Sequence, residues 1–237
     1  MRFFQIIALA AIAPAIPVEV VERQVDRPSI TENEFSLSVR CVDVVFVWAR
    51  GSTEAGNMPL GDELRRAYGS NLQIKGVDYA ALLSTNYLSG GTDLAAELEM
   101  RGILNDIHSR CPASVIVTGG YSQGAAVNHR AIEDLSADMK NQIAGVVTFG
   151  DTQARADGRR IPNFPQDKIR IFCGEGRIRD TVCDSNLIAA VLAPHLSYGA
   201  DAGAAGSFLI GKINCGEEES VIALSFLVKT LPLVINL

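Results

Sequence analysis

The chain has 237 residues, of which 48% are hydrophobic and 20% charged, with a formal net charge of −6. That is enough apolar material for one domain with a sizeable core, and an acidic balance with no basic cluster excludes the Lys/Arg stripes with which proteins grip nucleic acid. Three scattered histidines and the lack of a Gly-rich loop ending in Lys-Ser/Thr argue against a dedicated metal centre or nucleotide site, so neither metal nor cofactor is expected.

At the amino end, Arg2 is followed by an almost unbroken apolar run, Phe3 to Ala13, and then by small residues with Ala13 and Ala15 in an A-x-A arrangement. This is the pattern of a secretory signal peptide and is too short for a spanning helix. Residues 1–15 are therefore assigned to a signal, with cleavage after Ala15. Residues 16–34, with Pro17, Pro28 and mixed charge, read as a pro-segment or flexible arm, and residues 35–214 as the folded domain. Secretion makes Cys41, Cys111, Cys173, Cys183 and Cys215 candidates for disulfides, with one left over.

The first strand is Val42 to Trp48, apolar except for Asp43, as expected of a strand buried on both faces of a parallel sheet. It runs into the polar loop Arg50 to Asn57. Pro59 opens a helix that continues to Tyr68 and is closed by Gly69. Gln73 to Tyr79 is a weaker strand. Thr92 is expected to cap a long amphipathic helix with Leu94, Leu98, Ile103, Leu104 and Ile107 on its inner face.

Ser114 to Thr118 is the next strand, and Ala125 to Leu135 carries apolar residues at helical spacing. Between them lies Gly120-Tyr121-Ser122-Gln123-Gly124, a Gly-x-Ser-x-Gly turn from strand to helix. Such a turn holds the serine on a sharp elbow, with the free N–H groups and positive dipole end of the following helix beside it. Ser122 is thus a candidate nucleophile. Ile143 to Phe149 and Ile169 to Cys173 are further strands, and Ala204 to Ile213 is a last helix. Strands alternating with helices imply a three-layer α/β/α sandwich with a mainly parallel central sheet. If the strands after Cys41 and Cys111 are parallel, those cysteines share one end of the sheet and can meet, leaving Cys173 and Cys183 to close a short loop and Cys215 unpaired.

An activated serine needs a base and an acid, and in hydrolases of this layout they follow it along the chain. His108 precedes Ser122. His129 lies about 10 Å further along the same helix and cannot reach the serine. His195, in the loop Ala193 to Gly199, remains. For the acid, Asp151 ends one strand while Glu175, Asp180 and Asp184 follow another. Asp180 is preferred because a Cys173–Cys183 bridge would hold its loop still, and Asp151 is the alternative. An oxyanion would find the N–H of Gln123, and Ser52 in the Arg50 to Asn57 loop is the candidate second donor.

Four segments in order, Ala49-Arg50-Gly51-Ser52-Thr53-Glu54, Gly119 to Ala125, Asp180-Thr181-Val182-Cys183 and Ala193-Pro194-His195-Leu196, resemble those of fungal cutinases, across about Cys41 to Ile213. The resemblance implies a lidless α/β-hydrolase, a triad of Ser122, Asp180 and His195, an oxyanion hole from Ser52 and Gln123, and bridges Cys41–Cys111 and Cys173–Cys183. It also implies that Asn86 orients the oxyanion serine and that Leu83, Leu187 and Leu196 rim an acyl-binding crevice. Arg179 stands where the family usually has glycine before the aspartate, and the segments from Cys173 to Cys183 and on to His195 are longer than usual. These departures bear on substrate preference more than on chemistry.

The expected activity is that of a secreted, monomeric serine esterase acting on the carboxylic esters of cutin or a similar lipid-like polyester. The alternatives are an acetylxylan esterase and, in another class, a non-catalytic secreted binding protein or elicitor. Residues 215–237 form an atypical tail, apolar from Val221 to Leu237 but broken by Lys229. A lysine in mid-span costs about 2.5–3.5 kcal/mol on insertion, so stable membrane insertion is not expected.

Overall fold

The computed structural model describes residues 32–37, 40–54, 59–174 and 178–215. A four-residue helix, α1 (Glu34–Leu37), precedes five strands: β1 (Val44–Ala49), β2 (Leu72–Gly76), β3 (Val115–Tyr121), β4 (Ile143–Phe149) and β5 (Ile169–Phe172). They form one sheet in the order β2-β1-β3-β4-β5, and every pairing between them is parallel. Parallel neighbours require crossovers. Helices α2 (Leu60–Tyr68), α3 (Leu94–Arg110), and α4 (Gln123–Glu133) with α5 (Ala137–Gln142) supply the first three. The chain then passes through α6 (Ala193–Leu196) to α7, residues 202–215. The expected signal peptide, most of the arm and the apolar tail lie outside the described residues.

The alternation of side chains along each strand divides the core in two. Val45, Val47 and Ala49 of β1, with Ile116 and Val146, pack beneath Met100, Leu104, Ile107, Val127 and Ile132 of α3 and α4. Val44, Phe46 and Trp48, with Val117, Val147 and Phe149, face Leu60, Leu64, Leu209 and Ile213 of α2 and α7. Because both faces are covered, β1 is apolar at all six positions.

Residues 32–34 lie along the outer side of β2. Gly76 N donates to Glu32 O at 2.8 Å, Ile74 N to a Glu34 carboxylate oxygen at 2.8 Å, and Lys75 Nζ to Asn33 Oδ1 at 2.7 Å. Arg65 of α2 completes the join through Glu34 at 2.7 Å.

Several element details differ from the expectation. Asp93, not Thr92, is the N-cap of α3; its carboxylate accepts from Ala96 N at 2.8 Å. The buried face of α3 is Ala96, Met100, Ile103, Leu104 and Ile107, whereas Leu94 and Leu98 are 64% and 52% exposed. At about 100° per residue those two leucines fall on the opposite side of the helix from the centre of that buried face. β2 stops at Gly76, short of Tyr79, whose hydroxyl donates to Arg50 O while the Arg50 guanidinium donates to Tyr79 O. The final helix is longer than expected at both ends, and α5 has no counterpart in the sequence reading.

Cys41 and Cys111 lie just before the adjacent parallel strands β1 and β3, and are bridged with Cα atoms 5.5 Å apart across 70 residues of chain. A closed loop of that length stabilises the fold by about 4 kcal/mol on chain-entropy grounds. Cys173 and Cys183 are bridged at the other end of the sheet, and Cys215 is free and exposed.

Candidate active site

From β1 the chain crosses by α2 to one neighbour, β2, and from β2 by α3 back past it to the other, β3. The crevice outside the carboxyl ends of β1 and β3 is where such a reversal leaves room for a ligand. Two of the motifs lie there: the loop Arg50–Glu54 leaves β1, and Ser122 follows Tyr121 at the end of β3.

Ser122 has φ 54° and ψ −113°, a left-handed conformation that a non-glycine residue adopts only where its surroundings impose it. Its N–H donates to Phe149 O at 2.8 Å, and its carbonyl accepts Ala125 N at 3.0 Å. A side chain at Gly124 would run into the main chain of Ala49 and Arg50, so glycine there is what lets α4 start directly against the end of β1. The result is a serine 8% exposed, between the sheet and the amino end of α4.

His195 Nε2 lies 3.0 Å from Ser122 Oγ, and His195 Nδ1 lies 2.7 Å from Asp180 Oδ2. Tyr198 OH donates to that same carboxylate oxygen at 2.7 Å, and Val182 N donates to Asp180 Oδ1 at 3.0 Å. Burial alone would raise the Asp180 pKa, but the hydrogen bonds from His195, Tyr198 and Val182 N outweigh it and hold the carboxyl below its usual range. An ionised Asp180 accepts the proton of Nδ1, which leaves Nε2 as the acceptor facing Ser122. The Tyr198 hydroxyl is pushed up by burial and by Asp180, so it stays a donor.

The imidazole is held on its other sides too. Tyr121 OH donates to His195 O at 2.9 Å, with the two ring centroids 5.0 Å apart. Gly150, at φ 53°, lies against the ring: a Cβ there would stand 2.5 Å from His195 Cε1. Any larger residue would displace the ring.

In the loop that leaves β1, Ser52 Oγ accepts from Asn86 Nδ2 at 2.8 Å, and Asn86 Nδ2 also donates to Leu83 O at 3.1 Å. Ser52 therefore accepts from Asn86 and keeps its own hydroxyl proton for another partner. Gln123, the first residue of α4, has a backbone N–H without an intrahelical acceptor, and its side chain is tied to Leu82 O at 2.9 Å and to Thr85. Gly51 N donates to Glu54 at 2.7 Å. Burial raises the Glu54 pKa, opposed in part by Gly51 N, Arg50 and His195. Leu83 and Leu196 are 60% and 64% exposed and Leu187 is half-buried. Tyr87, Leu88, Ile188 and Leu192, on the same two stretches of chain, are also half or more exposed.

The sequence reading brought Ser122, Asp180, His195, Ser52 and Asn86 forward, and the structure joins the first three into one hydrogen-bonded chain and the last two into a pair. It does not point to Tyr198, Tyr121 or Gly150, although Tyr121 stands inside the Gly-x-Ser-x-Gly turn and Tyr198 in the loop Ala193 to Gly199. Asp151, the alternative acid, is engaged with His129 at 3.0 Å instead of with His195. Among the described residues no group of three or more His, Cys, Asp or Glu side chains is arranged to hold a metal ion, and no helix is long and apolar enough to cross a membrane.

A family model described as Cutinase matches residues 40–213. A cutinase of Fusarium solani subsp. cucurbitae is 41% identical over 228 residues, covering 90% of this chain and 97% of that protein. A solved structure of a Trichoderma reesei cutinase in complex with a phosphonate inhibitor superposes with a TM-score of 0.64 at 33% identity, over 76% of this chain and 82% of that one. The catalytic core domain of an acetyl xylan esterase from Trichoderma reesei shares the fold, with a TM-score of 0.55 at 17% identity over 75% of this chain and all of that one.

Proposed function

We propose, from the fact that this chain belongs to the cutinase family and is a carboxylic ester hydrolase, that it is secreted and cleaves the ester bonds of cutin as a monomer, with Ser122 as nucleophile, His195 as base and Asp180 as the acid that orients it. The observation that carries the reading is the unbroken run of hydrogen bonds Tyr198–Asp180–His195–Ser122, at 2.7, 2.7 and 3.0 Å. His195 Nε2 takes the hydroxyl proton as Ser122 Oγ attacks the ester carbonyl. The tetrahedral oxyanion is met by the N–H of Gln123 and by Ser52, which Asn86 holds in place. The intermediate collapses, His195 returns the proton to the leaving alcohol, and an acyl-enzyme remains. Water, deprotonated by the same ring, then releases the acid. Asp180 stays ionised throughout and stabilises the imidazolium that forms twice per turnover.

The exposed Leu83, Tyr87, Leu88, Ile188, Leu192 and Leu196 offer an aliphatic or lipid-like substrate an apolar approach, and the two disulfides fit an extracellular protein. Purified protein given insoluble cutin, acetylated xylan and short- and long-chain p-nitrophenyl esters should release hydroxy fatty acids from cutin faster than acetate from xylan. Fast release of acetate with no product from cutin would turn the substrate assignment to acetylated polysaccharide.

Ser52→Ala removes one oxyanion donor and leaves the proposed triad in place. Its kcat is expected to fall about 10²–10³-fold with KM for a short ester little changed, because the donor acts on charge that exists only in the transition state. A KM effect alone would place Ser52 in ground-state binding.

A further inference from the structure

Behind the triad lies a second ionised cluster that the chemistry above does not use. His129, on α4, has no exposed side-chain surface; its Nε2 is 3.0 Å from Asp151 Oδ2 and its Nδ1 is 2.6 Å from Asp157 Oδ2. Both neighbours are acceptors, and a neutral imidazole has a single N–H to give. Only the imidazolium satisfies both. Thr148 Oγ1 donates to Asp151 Oδ2 at 2.7 Å and Gln153 N to Asp151 Oδ1 at 2.8 Å. Arg130 donates to Asp157 and pairs with Glu133 at 3.2 Å. From α3, Arg101, which pairs with Glu97 at 2.5 Å and Asp134 at 3.3 Å, donates to Arg130 O.

The position of the cluster connects it to the reaction. Asp151 directly follows Gly150, the residue against the His195 ring, and precedes Thr152, whose hydroxyl reaches Ser122 O at 3.5 Å. One residue earlier, Phe149 O receives Ser122 N at 2.8 Å. The segment 149–152 is thus touched by Ser122 and His195 on one side and held by His129 on the other, and His129 rides on the helix that begins at Gln123.

We propose that His129 is a positioning residue for ester hydrolysis, its imidazolium tying α4 to the segment 149–152 so that Ser122 and the surface under His195 stay in register. The inference rests on the reading of Ser122 and His195 as the catalytic pair. It makes activity depend on pH through a group that never meets substrate. Burial disfavours the charged ring, but Asp151 and Asp157 outweigh it and raise the His129 pKa to about 9, while Asp151 is held below its usual range despite burial, by His129, Thr148 and Gln153 N. A ring whose folded pKa lies above its unfolded value of about 6.5 contributes fully below that lower value, and its contribution is lost as pH rises through about 9. The tie is therefore closed at neutral pH and opens in alkali.

The chain has three histidines, so its imidazoles can be followed individually by NMR in protein carrying ¹⁵N-histidine. One imidazole should remain doubly protonated at pH 8, titrate near pH 9 in wild type and in Ser122→Ala, and be missing from His129→Gln. Over the same range the wild-type kcat on a soluble short-chain ester should fall reversibly, with KM within about twofold; His129→Gln should lose kcat about tenfold at pH 8 and show no such alkaline fall. A His129 ring that is neutral at pH 8 in wild type overturns the proposal whether or not the variant folds. So does a folded His129→Gln that keeps either its kcat or the alkaline limb. Activity surviving in Ser122→Ala would instead overturn the catalytic reading, and the positioning role with it, while leaving the ring titration standing.

Discussion

Ser122→Ala is expected to lower kcat on a soluble p-nitrophenyl ester by about 10⁵–10⁶-fold, leaving only the rate that binding and the oxyanion donors supply. The size follows from how the site is built. Ser122 Oγ is the atom that meets His195 Nε2, at 3.0 Å, and the backbone that presents it already has the left-handed geometry of the elbow, so alanine changes the chemistry without a new backbone to accommodate. On the proposed mechanism, in which serine and histidine act as one unit, His195→Ala added to Ser122→Ala should cost almost nothing more. Kinetics on both variants, with covalent labelling by an organophosphonate followed by mass, check this. A variant within tenfold of wild type, or a label on any other residue, removes Ser122 from the mechanism.

Asp180→Asn is expected to lower kcat by about 10⁴-fold. One carboxylate oxygen takes protons from both His195 Nδ1 and Tyr198 OH, and the other takes Val182 N. An amide cannot copy that pattern. With its NH₂ toward the ring it meets two donors and forces the proton of His195 onto Nε2, facing the nucleophile; with its oxygen toward the ring it meets Val182 N–H donor to donor. Either orientation loses what the aspartate holds, the first in catalysis and the second in the packing of residues 180–183. The measurement is kcat/KM across pH together with thermal unfolding. A loss below tenfold in a folded variant would show that the imidazole is oriented by something else.

The legibility of the site in the sequence was uneven for physical reasons. The elbow at Ser122 could be read because it depends on local order, a β-branched run, two glycines and a helical repeat. His195 could be read by exclusion, since helix geometry bars His129 and chain order disfavours His108. In the structure those two serve elsewhere, His108 against Gln142 at 2.6 Å and His129 in its buried cluster. Asp180 was reached through the Cys173–Cys183 bridge, which does close its loop. Tyr198 was missed because its hydroxyl finds Asp180 only after two segments 18 residues apart are folded together, and no periodicity encodes that. The inner face of α3 was misread because Leu94 and Leu98 are more hydrophobic than the Ala96 that is in fact buried; tertiary packing chose the phase, not side-chain polarity. The cap moved by one residue because Thr92 and Asp93 are both good caps and only the carboxylate meets Ala96 N.

The segment 32–34 alongside β2 has a consequence for how the protein behaves at a solid surface. A sheet border with open amides is a template on which a second copy can pair and begin a stack, and crowding on a solid multiplies such encounters. Here the amides of Ile74 and Gly76 already have acceptors from the same chain, and the opposite border, β5, is only four residues long with Arg170 among them. Molecules packed side by side on an insoluble polymer would thus find little open backbone along these two borders with which to zip together.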